Sequence, residues 1–444
     1  MQYYMDKIYA LYPCFSETTI WTTLDSMYLA GGEHAVKDSD RWLFWMVLAI
    51  ASTAQSHSKD DQFYRNGVEY VARALPLADR VFMPGFMATI PSLILLSQYS
   101  MYDPIHFDSW HCVGFATRVI LEMGLHQDPA SHNIKDRVDL DMRRKMFHSA
   151  YALDRFVTQP LFLSLMLTRI RAVSMGHARP FSFADWTANV IPPASTGIGR
   201  IPSLSGNITG PQSSNPFMHL FQLRRLQSAW YQTLYQSGEN PIQDAQSFLW
   251  KSCHDLREWS ESLPHTLPAE VRRAFNLELE WSYVYVLMPC ARAPHITEYR
   301  QALIFEHALG FIEGMHAMAF ETEKATPLTT YYDVMKTYFI GSQLVTVLRD
   351  AFDLLVSGGP VSMPHVDGGS VPPPPMPHRF FHAPQFEDNL SRCLKGIRLV
   401  RETLAKFGER WDDSLQLLAV FQQVGAELQS RLEHEKMQAD HQMS

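Results

Sequence analysis

Cysteine is scarce in this chain. Five thiols are spread over 444 residues, at Cys14, Cys112, Cys253, Cys290 and Cys393, with no Cys-x-x-Cys pair among them. That odd, scattered set supplies neither a disulfide framework nor a thiolate zinc site, and it reads as small buried hydrophobes in a reducing compartment. An excess of positive charge is missing too. Lys plus Arg number 38 against 46 for Asp plus Glu, a formal charge of −8, whereas a free-standing nucleic-acid binder carries a basic face. There is no long unbroken apolar run. The longest uncharged window, Val81 to Tyr102, is interrupted by Pro84, Gly85, Pro91, Ser92, Ser97, Gln98 and Ser100, which predicts a turn followed by a buried helix rather than a membrane span. Asp6 and Lys7 interrupt the start where a secretory signal needs apolar residues, so the sequons at Asn207 and Asn389 carry no weight.

What is present is helical punctuation. A composition of 46% apolar and 19% charged residues permits a sizeable core. Capping residues followed by proline at Asn215-Pro216, Asn240-Pro241 and Thr326-Pro327 predict helix starts. Glycines at 31, 124, 238, 358 and 408 follow periodic segments and predict left-handed helix ends. Leu390, Leu394, Ile397, Leu404 and Phe407 fall on one helical face, and Leu415, Leu418, Phe421, Val424 and Leu428 on another. No Asn-Gly turn joins two alternating runs. The expectation is an all-α fold, an array of antiparallel helices in two halves: residues 1–193, a Pro/Gly/Ser-rich linker at 194–215, and residues 216–444 with a Pro-rich loop at 358–384. No repeat of fixed period supports a solenoid.

Constellations that could carry chemistry are weak. His378 and His382 are four apart beside a proline run, without the third ligand a zinc site needs. His106, His111 and Cys112 also lack metal spacing. No nucleophile elbow, phosphate loop or dinucleotide glycine fingerprint occurs. The short basic clusters Arg143-Arg144-Lys145, Arg224-Arg225 and Arg272-Arg273 lie in helical patterns that also bear acids, which reads as solvated charged faces. Nothing here points to an enzyme. Met83, Met87, Met101 and Met123 lie near the expected core, where such adaptable side chains fill irregular packing or line an effector pocket.

One stretch is more specific. From Trp110 the chain reads WHCVGFATRVILEMGLHQDP, then DLDMRRKMFHSAYALDRFVTQ, and later GHARPFSF and VIPP. This string resembles the middle homology region of fungal zinc-cluster transcription factors, also called the fungal-specific transcription factor domain. The resemblance rests on a helix ending in Gly124-Leu125-His126 and on a second helix carrying Arg143, Arg144, Phe147, Tyr151, Asp154 and Arg155. A turn with Gly176, Arg179 and Pro180 follows. Tyr9 to Phe15 and Trp42 to Ala54 are similar to that domain's opening. The resemblance covers residues 1–193.

It implies a nuclear regulator of transcription whose helical domain modulates activity and does not itself read DNA. A secondary-metabolism or nutrient pathway would be the target. Partners would be other transcription regulators or coregulators, with a homodimer and an unidentified small-molecule effector also open; DNA is reached only indirectly, and no membrane is involved. No cofactor is expected in this chain. Zinc would enter only with a separate six-cysteine module, which is missing from the gene model, lost, or supplied by a partner. Two other readings are a helical adaptor or corepressor acting through protein contacts alone and an all-α small-molecule-binding domain. The motif residues have a structural reading: Gly124 a helix cap, Asp154 and Arg155 a local ion pair, Pro180 a chain reversal, Phe147 and Tyr151 core. Residues 160–175 widen the family spacing between Arg155 and the Gly176 turn. They are either a retained intron translated in frame or a helix that buries Leu161, Leu165 and Leu167 with Arg169 and Arg171 at its wet end.

Overall fold

In a computed structural model, residues 1–29, 36–130, 134, 136–167, 179–193, 215–321, 329–357, 361–364, 371–377 and 388–443 are described, without the side chains of 29, 160–167, 442 and 443. Helices account for nearly all regular structure, and among the described residues no strand occurs, only isolated bridges. The N-terminal helices are α1 (Gln2–Tyr4), α2 (Glu17–Leu29), α3 (Asp38–Ala54), α4 (Gln62–Ala74), α5 (Ala78–Val81), α6 (Thr89–Tyr102), α7 (Ser109–Glu122) and α8 (Arg137–Leu167). The others are α9 (Pro216–Tyr231), α10 (Ala245–Glu261), α11 (Ala269–Leu287), α12 (Glu298–Ala319), α13 (Tyr331–Asp350), α14 (Phe352–Ser357), α15 (Asn389–Phe407) and α16 (Asp413–Met443). Among the described residues, no helix is long and apolar enough to cross a membrane.

Local chemistry sets many of the starts. The side chains of Asp61, Asp108, Asn215, Asp244, Thr297 and Asp388 each accept a backbone N–H of the first turn, satisfying donors that the helix cannot. Asn240-Pro241 does not open a helix as its spacing predicts. The helix begins at Ala245, because Asp244 accepts from Ser247 N at 3.0 Å and outcompetes the earlier asparagine. Thr326-Pro327 lies outside the described residues; α13 starts where the Asp333 carboxylate accepts from the Thr330 N–H at 2.7 Å. Gly124 and Gly238 take positive φ, 67° and 91°, as a left-handed helix end requires. Gly408 does not: its φ is −62°. A β-carbon there would come within 2.3 Å of Leu415, so this glycine serves close packing at the α15–α16 corner. Gly31 and Gly358 lie outside the described residues.

One continuous apolar core runs from Tyr4 to Leu432, with Trp42, Trp230, Trp250 and Trp281 fully enclosed. The helices on either side of the 194–215 segment therefore share a core, with α8 against both α9 and α13. Helix α6 is buried along its whole length, in keeping with its uncharged sequence. On α15 the expected face is inward. On α16 it is rotated: Phe421, Leu428 and Leu432 are buried, whereas Leu415 and Val424 are exposed. At Gly341 a β-carbon would meet Val400 at 2.8 Å and Phe421 at 3.0 Å, so this glycine lets α13 pack closely on α15 and α16.

The α15–α16 corner clasps the N-terminal helices. Buried Arg410 donates to Thr53 O at 2.7 Å and Ser56 O at 3.0 Å, and Trp411 Nε1 donates to Tyr102 O at 3.1 Å. These carbonyls are at the free C-terminal ends of α3 and α6, where a cation and an indole N–H supply the missing donors. Burial pushes the Arg410 guanidinium down to about 10, with the Tyr102, Asp61 and Asp103 charges opposing the fall.

Candidate functional site: a motif scaffold beside a charged cavity

The motif residues form a scaffold. Helix α7 stops at Gly124, and Leu125 N returns to Ile120 O at 2.9 Å, which buries Leu125. The His126 carbonyl accepts from Asn189 N at 2.9 Å, and Asp128 N donates to Asn189 O at 2.9 Å. Arg144 is not solvated. It grips Asp128 with Nε at 3.0 Å and Nη2 at 2.6 Å, and Arg143 reaches the Gly124 carbonyl at 3.4 Å. The strand-like pairing of residues 126–128 with 189 is thereby tied to α8.

About three turns further along α8, Asp154 and Arg155 are fully buried and paired at 2.8 Å. Arg155 also donates to Asp185 at 2.7 Å and Phe183 O at 2.8 Å, and its guanidinium lies 3.8 Å from the Tyr151 ring. Tyr151 donates to the same Asp185 at 2.7 Å, and Ser228 of α9 and Gln232 just after it donate to its other oxygen. Asp154 accepts from Ser182 N at 3.1 Å. Burial raises the Asp154 carboxyl, while Arg155 and the Ser182 contacts pull it back. Phe147 is buried edge-on against Phe183. Arg179 lies over Trp110, its carbonyl accepts from Gln236, and Pro180 is exposed. Gly176 lies outside the described residues. The remaining motif residues thus fasten the 179–191 segment to α7, α8 and α9.

A second constellation lies deeper. A cavity of about 70 Å³ opens between the N-terminal helices and α9, α11, α12 and α13. Most of its wall is apolar, but Arg224, Glu278, Lys336, Asp333 and Gln98 line it as well. Arg224 Nη1 donates to Glu278 at 2.7 Å and to Gln227 at 2.5 Å, and Lys336 bonds the other Glu278 oxygen. Burial opposes ionisation of Glu278, yet the Arg224 and Lys336 charges prevail and hold its carboxyl well below the usual range. Burial raises Asp333, with Lys336 pulling the other way. Two donors here have no acceptor: Gln98 Nε2 and Arg224 Nε.

Sequence reading missed this cluster. Arg224 belongs to a dipeptide read as a solvated face, but it is only 3% exposed because Glu278, fifty-four positions away, neutralises it. Gln98 carried the one local signal, an amide inside a fully buried, uncharged helix. Of the methionines, Met101 lines the cavity, whereas Met83 is exposed. His378 and His382 lie outside the described residues, and His106 and His111 pair with Asp103 and Asp108. Among the described residues no group of three or more His, Cys, Asp or Glu could hold a metal.

Residues 1–159 match the fungal specific transcription factor domain. The match ends at Gln159. A protein of Schizosaccharomyces pombe described as an uncharacterized transcriptional regulatory protein is 28% identical over 135 residues, 29% of this chain and 22% of the relative. Activatory protein CHA4 of Saccharomyces cerevisiae is 21% identical over 340 residues, 68% of this chain and 49% of the relative. Pyrimidine pathway regulatory protein 1 of the same yeast is 21% identical over 229 residues, 48% of this chain and 23% of the relative. The chain thus spans at most about half the length of these relatives. No solved structure matches it significantly.

Proposed function

We propose that this chain is the helical regulatory part of a transcriptional regulator acting in the nucleus, and that it is not an enzyme. The observation that carries the reading is the fungal specific transcription factor domain over residues 1–159, with its motif side chains spent on internal contacts. Tyr151, Asp154 and Arg155 are held by bonds among Asp154, Arg155, Asp185 and Ser182, so these three side chains are spent inside the fold. The two halves share one core, so the unit that responds to partners comprises both. On this reading DNA is contacted through a separate module or a partner, and coregulators engage the helical surface. A relative named for pyrimidine pathway regulation supports control of a nutrient pathway. The test is a fusion of all 444 residues to an unrelated DNA-binding domain in a fungal reporter strain. Reporter output should move at least several-fold in either direction relative to the DNA-binding domain alone. Output indistinguishable from that control, with the fusion expressed and folded, counts against the proposal.

A further inference from the structure

We propose that the seat at Tyr299 on α12, which the chain's own proline strap fills, is a docking site for an extended proline-rich segment of another protein. That such a partner is a coregulator rests on the reading above; the binding itself does not.

The strap is residues 371–377, VPPPPMP. Proline fixes φ at about −65°, and a residue that precedes proline is held extended, so this run is predisposed to a polyproline helix of about three residues per turn. Its burial follows that period. Pro372 and Pro375 are exposed, whereas Pro373 and Pro374 are buried and Met376 and Pro377 are half-buried. One side of the run is therefore laid against the protein, as a polyproline ligand lies in its groove. Composition alone does not demand this, because a proline run between two helices also serves as a solvated spacer.

What receives the strap is aromatic. Tyr299 is buried with the strap in place and donates its hydroxyl to the Pro374 carbonyl at 2.7 Å. Burial raises the Tyr299 hydroxyl, and the Met376 backbone N–H pulls it back. The Trp250 ring of α10 stands edge-on to Tyr299 at 6.3 Å, and Met376 packs on the core. Prolines carry no N–H, so their bare carbonyls and ring faces are what they offer a partner, and a tyrosine answers both. These contacts read backbone and ring rather than a side chain peculiar to the strap, so another proline-rich segment presents the same chemistry. The strap is also tethered at a distance. Residues 358–370 and 378–388 join it to α14 and α15, and a tether of such length presents its ligand at an effective concentration on the order of 1 mM. A partner segment that binds the bare seat with a Kd of about 0.1 mM is then weakened about tenfold by the strap, and displaces it when its own local concentration rises. Proline-rich segments suit that exchange because they lose little conformational freedom on docking.

The test uses the purified full chain and a fluorescein-labelled VPPPPMP peptide, read by anisotropy. Pro373→Gly with Pro374→Gly removes both inward rings and frees the strap's backbone. This variant should stay folded and bind the peptide with a Kd of about 0.1 mM or below, at least about tenfold tighter than the parent, whose strap competes. The same peptide with glycine at those two positions should not saturate. Adding Tyr299→Phe to the glycine variant keeps the ring, removes the hydroxyl, and should weaken the peptide at least about threefold. In the parent, methyl NMR of the methionines should show the Met376 signal moving toward its position in the glycine variant as unlabelled peptide is raised to several times the effective concentration of the strap. Equal binding by parent and glycine variant, no binding by either, binding indifferent to Tyr299→Phe, or a Met376 signal that excess peptide leaves in place overturns the proposal. So does a glycine variant that fails to fold, because a displaceable strap does not hold the fold together. All of these outcomes leave the transcriptional reading intact, since the reporter fusion tests that without added peptide.

Discussion

Arg155→Ala is the substitution on which the structural role of the motif turns. The guanidinium is fully buried and makes three kinds of contact: ion pairs with Asp154 and Asp185, a hydrogen bond to the Phe183 carbonyl, and stacking on Tyr151 and Phe181. Removing it leaves Asp154 buried at 0% exposure without its counter-charge, and breaking a buried pair in this way costs about 3–5 kcal/mol. The lost cation–aromatic contacts add about 1 kcal/mol, whereas Asp185, which is partly solvated, recovers some of its loss in water. A net loss of about 4 kcal/mol is expected, a large part of a typical domain's stability. Urea unfolding followed by tryptophan fluorescence reads it directly. The double variant Asp154→Asn with Arg155→Met removes both charges and should lose less than the single change, because no unpaired charge stays buried. A single variant within about 1 kcal/mol of the parent would refute the scaffold argument.

Four other outcomes follow from the same physics. His148 is buried against Phe217 and Phe221; burial pushes it down to about 3, with the Ile191 carbonyl and Asp128 opposing and Arg225 and Arg144 assisting. The unfolded chain then binds the extra proton below about pH 6.5, so stability falls as pH drops, by about 1 kcal/mol from His148 between pH 7 and 5.5, and His148→Phe should flatten that slope in pH-dependent urea unfolding. Phe147→Ala should cost about 3 kcal/mol or more by the same assay. Gly67→Ala should cost about 1–3 kcal/mol, because its β-carbon would lie 2.1 Å from the Thr53 hydroxyl where α4 meets α3. At physiological salt the purified chain should show no sequence-selective, submicromolar binding to duplex DNA in a fluorescence-anisotropy titration, given its −8 charge.

Elements whose information is local were legible in the sequence. The helix carrying Ala116 and Ile120 inward and stopping at Gly124 is read directly from three-four spacing and one glycine. The uncharged Thr89–Tyr102 helix is likewise buried as its composition demands. Phase was harder where apolar residues lie on more than one face, as on α16, where Leu415 and Val424 are exposed while Leu432 turns inward. Long-range pairing was not legible at all. Nothing near Arg224 announces Glu278, and nothing near Arg155 announces Asp185; such partners meet only once the helices pack. The 160–175 segment illustrates a further limit: α8 continues without interruption to Leu167, while the side chains expected to be buried there lie outside the described residues.

The most direct test of the central claim is acute depletion of the protein in its own cells, by an inducible degron, with nascent transcripts measured within minutes. The account predicts that a compact set of transcripts changes promptly and that re-expressed parent protein restores them. An unchanged nascent transcriptome after complete depletion would contradict it.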